Sequence, residues 1–462
     1  MVGSNQNKCS AGLAFAELDA RSIRLLLFST PWTEHSDAHF TEACGNCCRT
    51  DSSELAQGTY LSSGGPVGQG FGGATTAAPL DGISATYWNP ASISDVQKQL
   101  GFGLGLVLPE MQTSSSAFGA SGTSRAEPGV SAIPTISCVH REEGSRTTYA
   151  VGIHGVAGYR TNYAASTTNP LFTPQPNTVG TPGGFGSVHT EAQFLQLAPM
   201  ISYAITENLS IGGGPTITLG DVTVDPFVFA APDDADGTLQ PRYPGGTGSR
   251  MHWGGGAQFG LYYVSDNHIH LGFSLKSTQR MEDFRYNSAD ELGLPRTVRT
   301  KMELPMILSW GAAYSGIEDL MIAVDLRYLD FENTDFWGGS GFNPDGSLIG
   351  LGMESVVSVS TGVQYDVSDD LTVRCGYMFT ENPFPPAATM IAAAAPLFYQ
   401  HQVSFGLTRK LSDSASVHMA YTYYPTNAMT GPIVTAAGAI PGSSVSTRAF
   451  VHMLNIGATI KY

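Results

Sequence analysis

The chain has 462 residues and a formal charge of −16, with 13% charged residues and 54 glycines. The acidic balance disfavours nucleic-acid binding, which needs clustered Lys and Arg, and the low charge argues against a soluble globular surface, where about 25% is usual. No apolar run reaches the roughly 18 residues of a helical membrane span, so scarce charge with abundant Gly and aromatics points to an all-β transmembrane barrel, whose lipid-facing residues are diluted by alternation.

Residues 1–57 read as a leader. Their apolar stretch, Leu25–Phe28, is shorter than a signal-peptide core and lies among Asp19, Arg21 and Glu34. A barrel must be exported, so the expectation is a mis-assigned start or an atypical signal. The leader is expected to be disordered, with the mature chain beginning near Leu55–Gly58. Cys9, Cys44, Cys47 and Cys48 fall here, and Cys138 and Cys375 stand alone later, so no disulfide framework is legible. Cys44, Cys47 and Cys48 with His35 and His39 complete no standard zinc spacing, and a metal-free leader is the preferred reading.

Residues 58–96 form the next unit. From Gly64 to Ser94 the chain is rich in Gly, Ala, Ser and Thr, and Asp81 is its one charged side chain. Neither helical nor strand periodicity runs through it. Small residues suit close packing of backbone against a wall. A compact segment enclosed by the rest of the chain is expected: an N-terminal plug, or hatch, in a lumen.

Residues 97–462 carry the barrel pattern. Fourteen segments alternate with period two, at 98–108, 130–142, 148–162, 190–206, 207–223, 249–265, 267–284, 301–315, 318–332, 353–368, 370–381, 397–412, 414–425 and 446–462. Short connections alternate with long ones near 109–129, 163–189, 224–248, 285–300, 333–352, 382–396 and 426–445. Outer-membrane barrels are built this way, with the short turns periplasmic. In the segment from Leu320, Ile322, Val324 and Leu326 share the lipid face, and Ala323, Asp325 and Arg327 the lumen. Near 400, Tyr399, Val403, Phe405 and Leu407 are assigned outward, Gln400 and Gln402 inward, and His401 to the rim. The end of the chain places Leu454, Ile456, Ala458, Ile460 and Tyr462 on one stripe, which is similar to the signal that outer-membrane proteins present to the barrel-assembly machinery.

Several stretches resemble the FadL/TodX family of outer-membrane transporters of long-chain fatty acids and other hydrophobic compounds. They are Gly70–Ala78 with Tyr87-Trp-Asn-Pro-Ala91, Leu275–Gln279 with Phe284–Asn287, Leu304-Pro with Trp310–Tyr314 and Ala323–Tyr328, and Glu381–Pro385 with Gln400-His and Ala420–Tyr423. The resemblance implies a 14-stranded antiparallel barrel filled by the 58–96 hatch. It implies a bacterial outer-membrane location among lipid and lipopolysaccharide, and a monomer. Substrate would be captured in an external apolar groove, pass to an inner pocket and leave sideways beside a kinked third strand, by diffusion. Asn89, Pro90 and Ala91 then belong to gating. Gly155 and Gly158 mark the kink. Lys276, Arg160 and Arg327 are candidate partners for an anionic headgroup, with Phe71 and Trp88 as aromatic substrate contacts. For Arg327, the neighbouring Asp325 offers simple neutralisation instead.

Catalytic patterns are missing from the sequence. No Gly-x-Ser-x-Gly elbow occurs, Gly65–Gly70 lacks the residues of a phosphate loop, and no cofactor is implied. His268 and His270 read as a wet turn, and Asp233–Gly237 as a solvated external loop. A general porin and an adhesin are the competing readings, and the hatch argues against both.

Overall fold

A computed structural model describes residues 60–175, 183–247 and 250–462. The leader, its expected disorder and its cysteines lie outside the described residues, as do the first two residues of the 58–96 unit.

Fourteen antiparallel strands close into one barrel. They are β1 (Gln99–Ala117), β2 (Ala120–Arg125 and Ser131–His140), β3 (Thr147–Tyr163), β4 (Val188–Ala204), β5 (Leu209–Asp225), β6 (His252–Val264) and β7 (Ile269–Lys276 and Gln279–Met281). The remaining seven are β8 (Glu303–Leu304 and Ile307–Ile317), β9 (Leu320–Leu329), β10 (Val356–Ser368), β11 (Leu371–Thr380), β12 (His401–Lys410), β13 (Ala415–Gly431) and β14 (Ser444–Lys461). β1 closes onto β14 from Gln99↔Lys461 to Ser116↔Ser444. Closure removes every free edge, which a lipid environment requires.

Alternation sets the two faces. In β9, Ile322, Val324 and Leu326 are exposed, whereas Ala323, Asp325 and Arg327 are buried. Phe405, Leu407, Leu454, Ile456 and Ile460 continue the apolar exterior. Turning Arg327 toward acyl chains would cost about 2–4 kcal/mol at the midplane, and turning Asp325 there somewhat less, so both charges face inward.

Several boundaries differ from the sequence reading. The long connection expected at 109–129 is mostly paired strand, because β1 runs to Ala117 and turns at Phe118-Gly119 into β2. β13 and β14 likewise extend beyond the membrane pattern. Ser- and Thr-rich segments show no apolar alternation, yet their backbones extend the ladder above the lipid. Alternation assigns Tyr399 outward, but it precedes β12 and packs on the buried cluster beside Phe398 and Tyr424. His270 is no wet turn residue. It is buried, 2.7 Å from Tyr262 Oη, which in turn donates to Asp95.

The ladder between β2 and β3 is interrupted. β2 pairs with β3 from His140↔Tyr149 to Thr135↔His154, and no further. Pro134, with no N–H to donate, comes next on the β2 side. On the β3 side the register against β4 shifts between Gly155 and Ala157, leaving Val156 as an extra residue. Val156 and Ala157 are consecutive yet both buried, as a bulge requires.

Residues 60–96 are almost wholly buried. They hold two short helices, α1 (Gly65–Gly70) and α2 (Gly82–Trp88). Asp81 caps α2, and Ser84 returns the bond. Wall glycines let this segment approach. A Cβ at Gly376 of β11 would lie 2.1 Å from Gly72 N, one at Gly272 of β7 2.2 Å from Thr76 O, and one at Gly212 of β5 2.5 Å from Pro90 O. Pro66 meets Gly103 of β1 and Gly457 of β14 in the same way. Contacts from strands on all sides put the segment against the inner wall.

Candidate functional site

Three features stand out as candidates for a functional site. The first is a cluster of cations on aromatic rings. Lys276, the last residue of the first part of β7, places Nζ 4.6 Å from the centroid of Tyr87 and 5.0 Å from that of Trp88. Arg327 of β9 places Cζ 4.1 Å from the Trp88 ring. Such contacts are worth about 2 kcal/mol or more when desolvated. Arg327 is held through its terminal nitrogens: it pairs with Asp325 and donates to Gly73 O and to Ser360 Oγ, while its Nε has no partner among the described residues. Asp325 also accepts from Thr76 N at 2.9 Å. Lys276 differs. Only 4% of it is exposed, and among the described residues its Nζ makes no hydrogen bond or ion pair.

The second feature is an apolar pocket among the external loops, enclosing about 700 Å³ of atom-free space including its open mouth. Four connections build it: Leu171 and Phe172 from the β3–β4 loop, Phe229 from β5–β6, Phe336 from β9–β10 and Met390 from β11–β12. Tyr159 of β3 lines it from below. Met390 lies in α3 (Thr389–Ala394), a short helix of the β11–β12 loop. The pocket's lining is nearly free of polar groups.

The third feature is the interrupted β2–β3 ladder. Gly155 and Gly158 flank it, and a Cβ at either would sit 2.5 Å from Ile133 or 2.7 Å from Ala192 O.

The sequence candidates divide accordingly. Lys276, Arg327 and Trp88 come together. Arg160 does not join them; it is partly exposed and pairs with Glu191 at 3.4 Å. Phe71 is enclosed by Ala74, Ala77, Ala313 and Ala323, which leaves no face for a ligand. Asn89 is bolted down: its amide donates to Thr76 O at 2.8 Å and to Leu261 O at 3.0 Å, and Ala91 O accepts from Ser202. Sequence reasoning missed the role of Tyr87 and the pocket residues of the loops. Tyr87 stands in a recognisable motif but carries no pattern of its own, and loop residues have no periodicity to read.

An apolar outer band, an occupied interior and a loop-built apolar pocket define an outer-membrane channel protein. The family model described as outer membrane protein transport protein (OMPP1/FadL/TodX) matches residues 52–449. The chain belongs to this family, and its function is outer-membrane transport of hydrophobic compounds rather than catalysis. Among solved structures it is similar to the P. putida toluene transporter TodX, at 15% identity and a TM-score of 0.62, covering 87% of this chain and 99% of that one. A Pseudomonas aeruginosa FadL homologue matches at 15% and 0.64, with the same coverage. The Ralstonia pickettii toluene transporter TbuX matches at 16% and 0.59, again covering 87% and 99%. At such identities these likenesses speak for the fold. No curated protein matches the chain.

Proposed function

We propose that this protein carries hydrophobic molecules with an anionic head, long-chain fatty acids foremost, past the polar lipopolysaccharide layer and releases them sideways between β2 and β3. The observation that carries the substrate class is Lys276: a buried ammonium resting on two rings, with no acceptor of its own. A carboxylate headgroup supplies that acceptor. Toluene, the substrate in the names of TodX and TbuX, does not. The external pocket suits first capture of the apolar tail.

Residues 58–96 act as the hatch. The backbone of residues 60–96 sits against wall glycines of many strands, so sliding straight through the barrel would mean breaking most of those contacts. The interrupted ladder at Thr135↔His154 and the Val156 bulge offer a shorter way out. Diffusion down a gradient is sufficient drive.

Uptake of labelled dodecanoate by cells with and without the protein tests the transport reading. Deleting Val156, which restores the β3–β4 register, tests the exit. We expect a barrel with normal heat-modifiable mobility and strongly reduced uptake. Uptake at the wild-type rate in that variant would remove the lateral route.

A further inference from the structure

The β7–β8 connection folds into a hairpin, Phe284–Ala289 against Pro295–Thr300. Phe284, Tyr286 and Val298 bury its inner face in the apolar cluster that also holds Met302 and Leu304. Exposure alternates without a break from Thr297 to Leu304, so the outer face of the hairpin continues the outer wall of β8. On that face Arg285 and Arg299 stand directly opposite each other. Side chains so paired have Cβ atoms about 4.5–5.5 Å apart, and like charges there oppose strand pairing. Both arginines are exposed, and among the described residues neither has an ion pair or a side-chain hydrogen bond. Most acids nearby are engaged. Arg250 holds Glu282 through two bonds of 2.8 Å, and Glu303 lies opposite Arg280 with Lys301 and Asp335 beside it. Asp283 offers one charge to two arginines. Trp253 marks the height of this pair. It is exposed on the outer face of β6, as girdle aromatics are, and its carbonyl accepts from Glu282 N–H at 2.9 Å. Arg285 follows three residues later, at most about 10 Å farther along the strand.

We propose that Arg285 and Arg299 form a docking site for the phosphates of lipopolysaccharide in the outer leaflet. The site is independent of what the barrel transports. A guanidinium presents a planar fork of donors that matches phosphate oxygens, and two forks one strand apart can grip one phosphate between them. The shared anion turns repulsion across the hairpin into attraction. The chain as a whole carries −16, so two uncompensated cations side by side run against its general charge. Charge complementarity therefore selects a polyanion, and the hairpin's place just above the aromatic girdle selects one that lies in the headgroup layer. Lipopolysaccharide, with phosphates at that depth, meets both conditions.

The test reads backbone hydrogen exchange on the hairpin peptide of the full chain in phosphatidylcholine nanodiscs. The discs hold no further lipid, diphosphoryl lipid A, or lipid A stripped of both phosphates. In the wild type, diphosphoryl lipid A should slow the exchange about tenfold, and the stripped lipid should not. Arg285→Gln combined with Arg299→Gln should exchange more slowly than the wild type in plain discs, because the repulsion is gone, and should gain nothing from lipid A. A purely structural role would instead speed exchange in every lipid, and that outcome overturns the proposal. Arg409→Gln removes an exposed cation that pairs with Asp370 at a short turn, and it should respond to lipid A as the wild type does. Equal protection by the stripped lipid would reduce the hairpin to a sugar or acyl contact. A full lipid A response in the double variant would place the site elsewhere. Equal protection by inorganic phosphate in plain discs would make the pair a general anion site and overturn the lipid assignment.

Discussion

Asp325 and Arg327 are two charges on one inward face with no exposure at all, and each also holds backbone of the 60–96 segment, at Thr76 and Gly73. Breaking such a buried pair leaves an uncompensated charge and costs about 3–5 kcal/mol, whereas removing both partners costs much less. Asp325→Ala should therefore lower the midpoint of heat-modifiable unfolding sharply, and Asp325→Ala with Arg327→Met should recover most of the loss. Additive losses in that cycle would mean that the pair is not coupled. Lys276 predicts the opposite behaviour. It makes no hydrogen bond or ion pair among the described residues, so Lys276→Ala should cost folding only its ring contacts, about 2 kcal/mol, and still give an assembled barrel. A charge-assisted bond is worth about 1.5–3 kcal/mol, so dodecanoate binding should fall roughly ten- to a hundredfold with dodecane unaffected. Equal loss for both ligands, measured by competition, would make the residue a wall of the pocket and nothing more.

Among the elements, the 60–96 segment and the wall strands meet backbone to backbone, and glycine is what permits it. At Gly376 an added Cβ would collide with the main chain at Gly72, which cannot swing aside as a side chain would. Overpacking of this sort costs about 1–3 kcal/mol or more. Gly376→Ala should leave the hatch poorly seated and open to protease in intact membranes. Gly255→Ala is the control, because its Cβ would meet only Thr216 O at 3.5 Å, an ordinary contact. Equal protease resistance in the two variants would sink the argument. The β3 bulge belongs to the same scale. Alternation there predicts which residues face inward only up to Gly155, and the extra Val156 then resets the count.

Across the whole molecule, an ionic clamp joins the loop after β5 to the loop after β7. Arg242 donates to Glu291 at 2.8 Å and to Asp236 at 3.3 Å, and Arg296 donates to Ala231 O at 2.7 Å. Asp234, Asp236 and Glu291 bring their carboxylates within 4.8 Å of one another, and Arg242 already sits on two of them. Asp233–Gly237 is thus an exposed loop, tied to the neighbouring loop through Arg242 and Glu291. Hydrogen bonds from Thr238, with Arg242 nearby, hold the Asp236 carboxyl below its ordinary value. A carboxyl held low contributes stability above its unfolded pKa, and loses it as the pH falls through its folded one. Arg242 is raised, chiefly by its bond to Glu291, and stays charged throughout. Spin labels at Ala235→Cys and Leu292→Cys should thus report one distance from about pH 8 to pH 5. A broader spread should appear once the pH drops below the usual carboxylate range, about 3.9. A distance that drifts steadily across the neutral range would refute the clamp.

The barrel is legible in the sequence because lipid acts on each residue separately. An outward charge is expensive wherever it stands, so the rule is written locally, two residues at a time, and can be counted along the chain. Strand number, the inward Asp325 and Arg327, the terminal apolar stripe and the family resemblance all come from such local marks. Lys276 can be picked out as a cation without a nearby carboxylate, and Trp88 as part of a motif. That the two meet, with Tyr87 between Lys276 and the backbone of Val156, depends on how the 60–96 segment sits against strands drawn from the rest of the chain. The external pocket is the same kind of object: its apolar residues come from four loops with no period among them. The ladder's stop at Thr135 depends on register against two neighbours at once. Pairwise contacts across a lumen are set by closure of the whole barrel, and only the tertiary structure decides them.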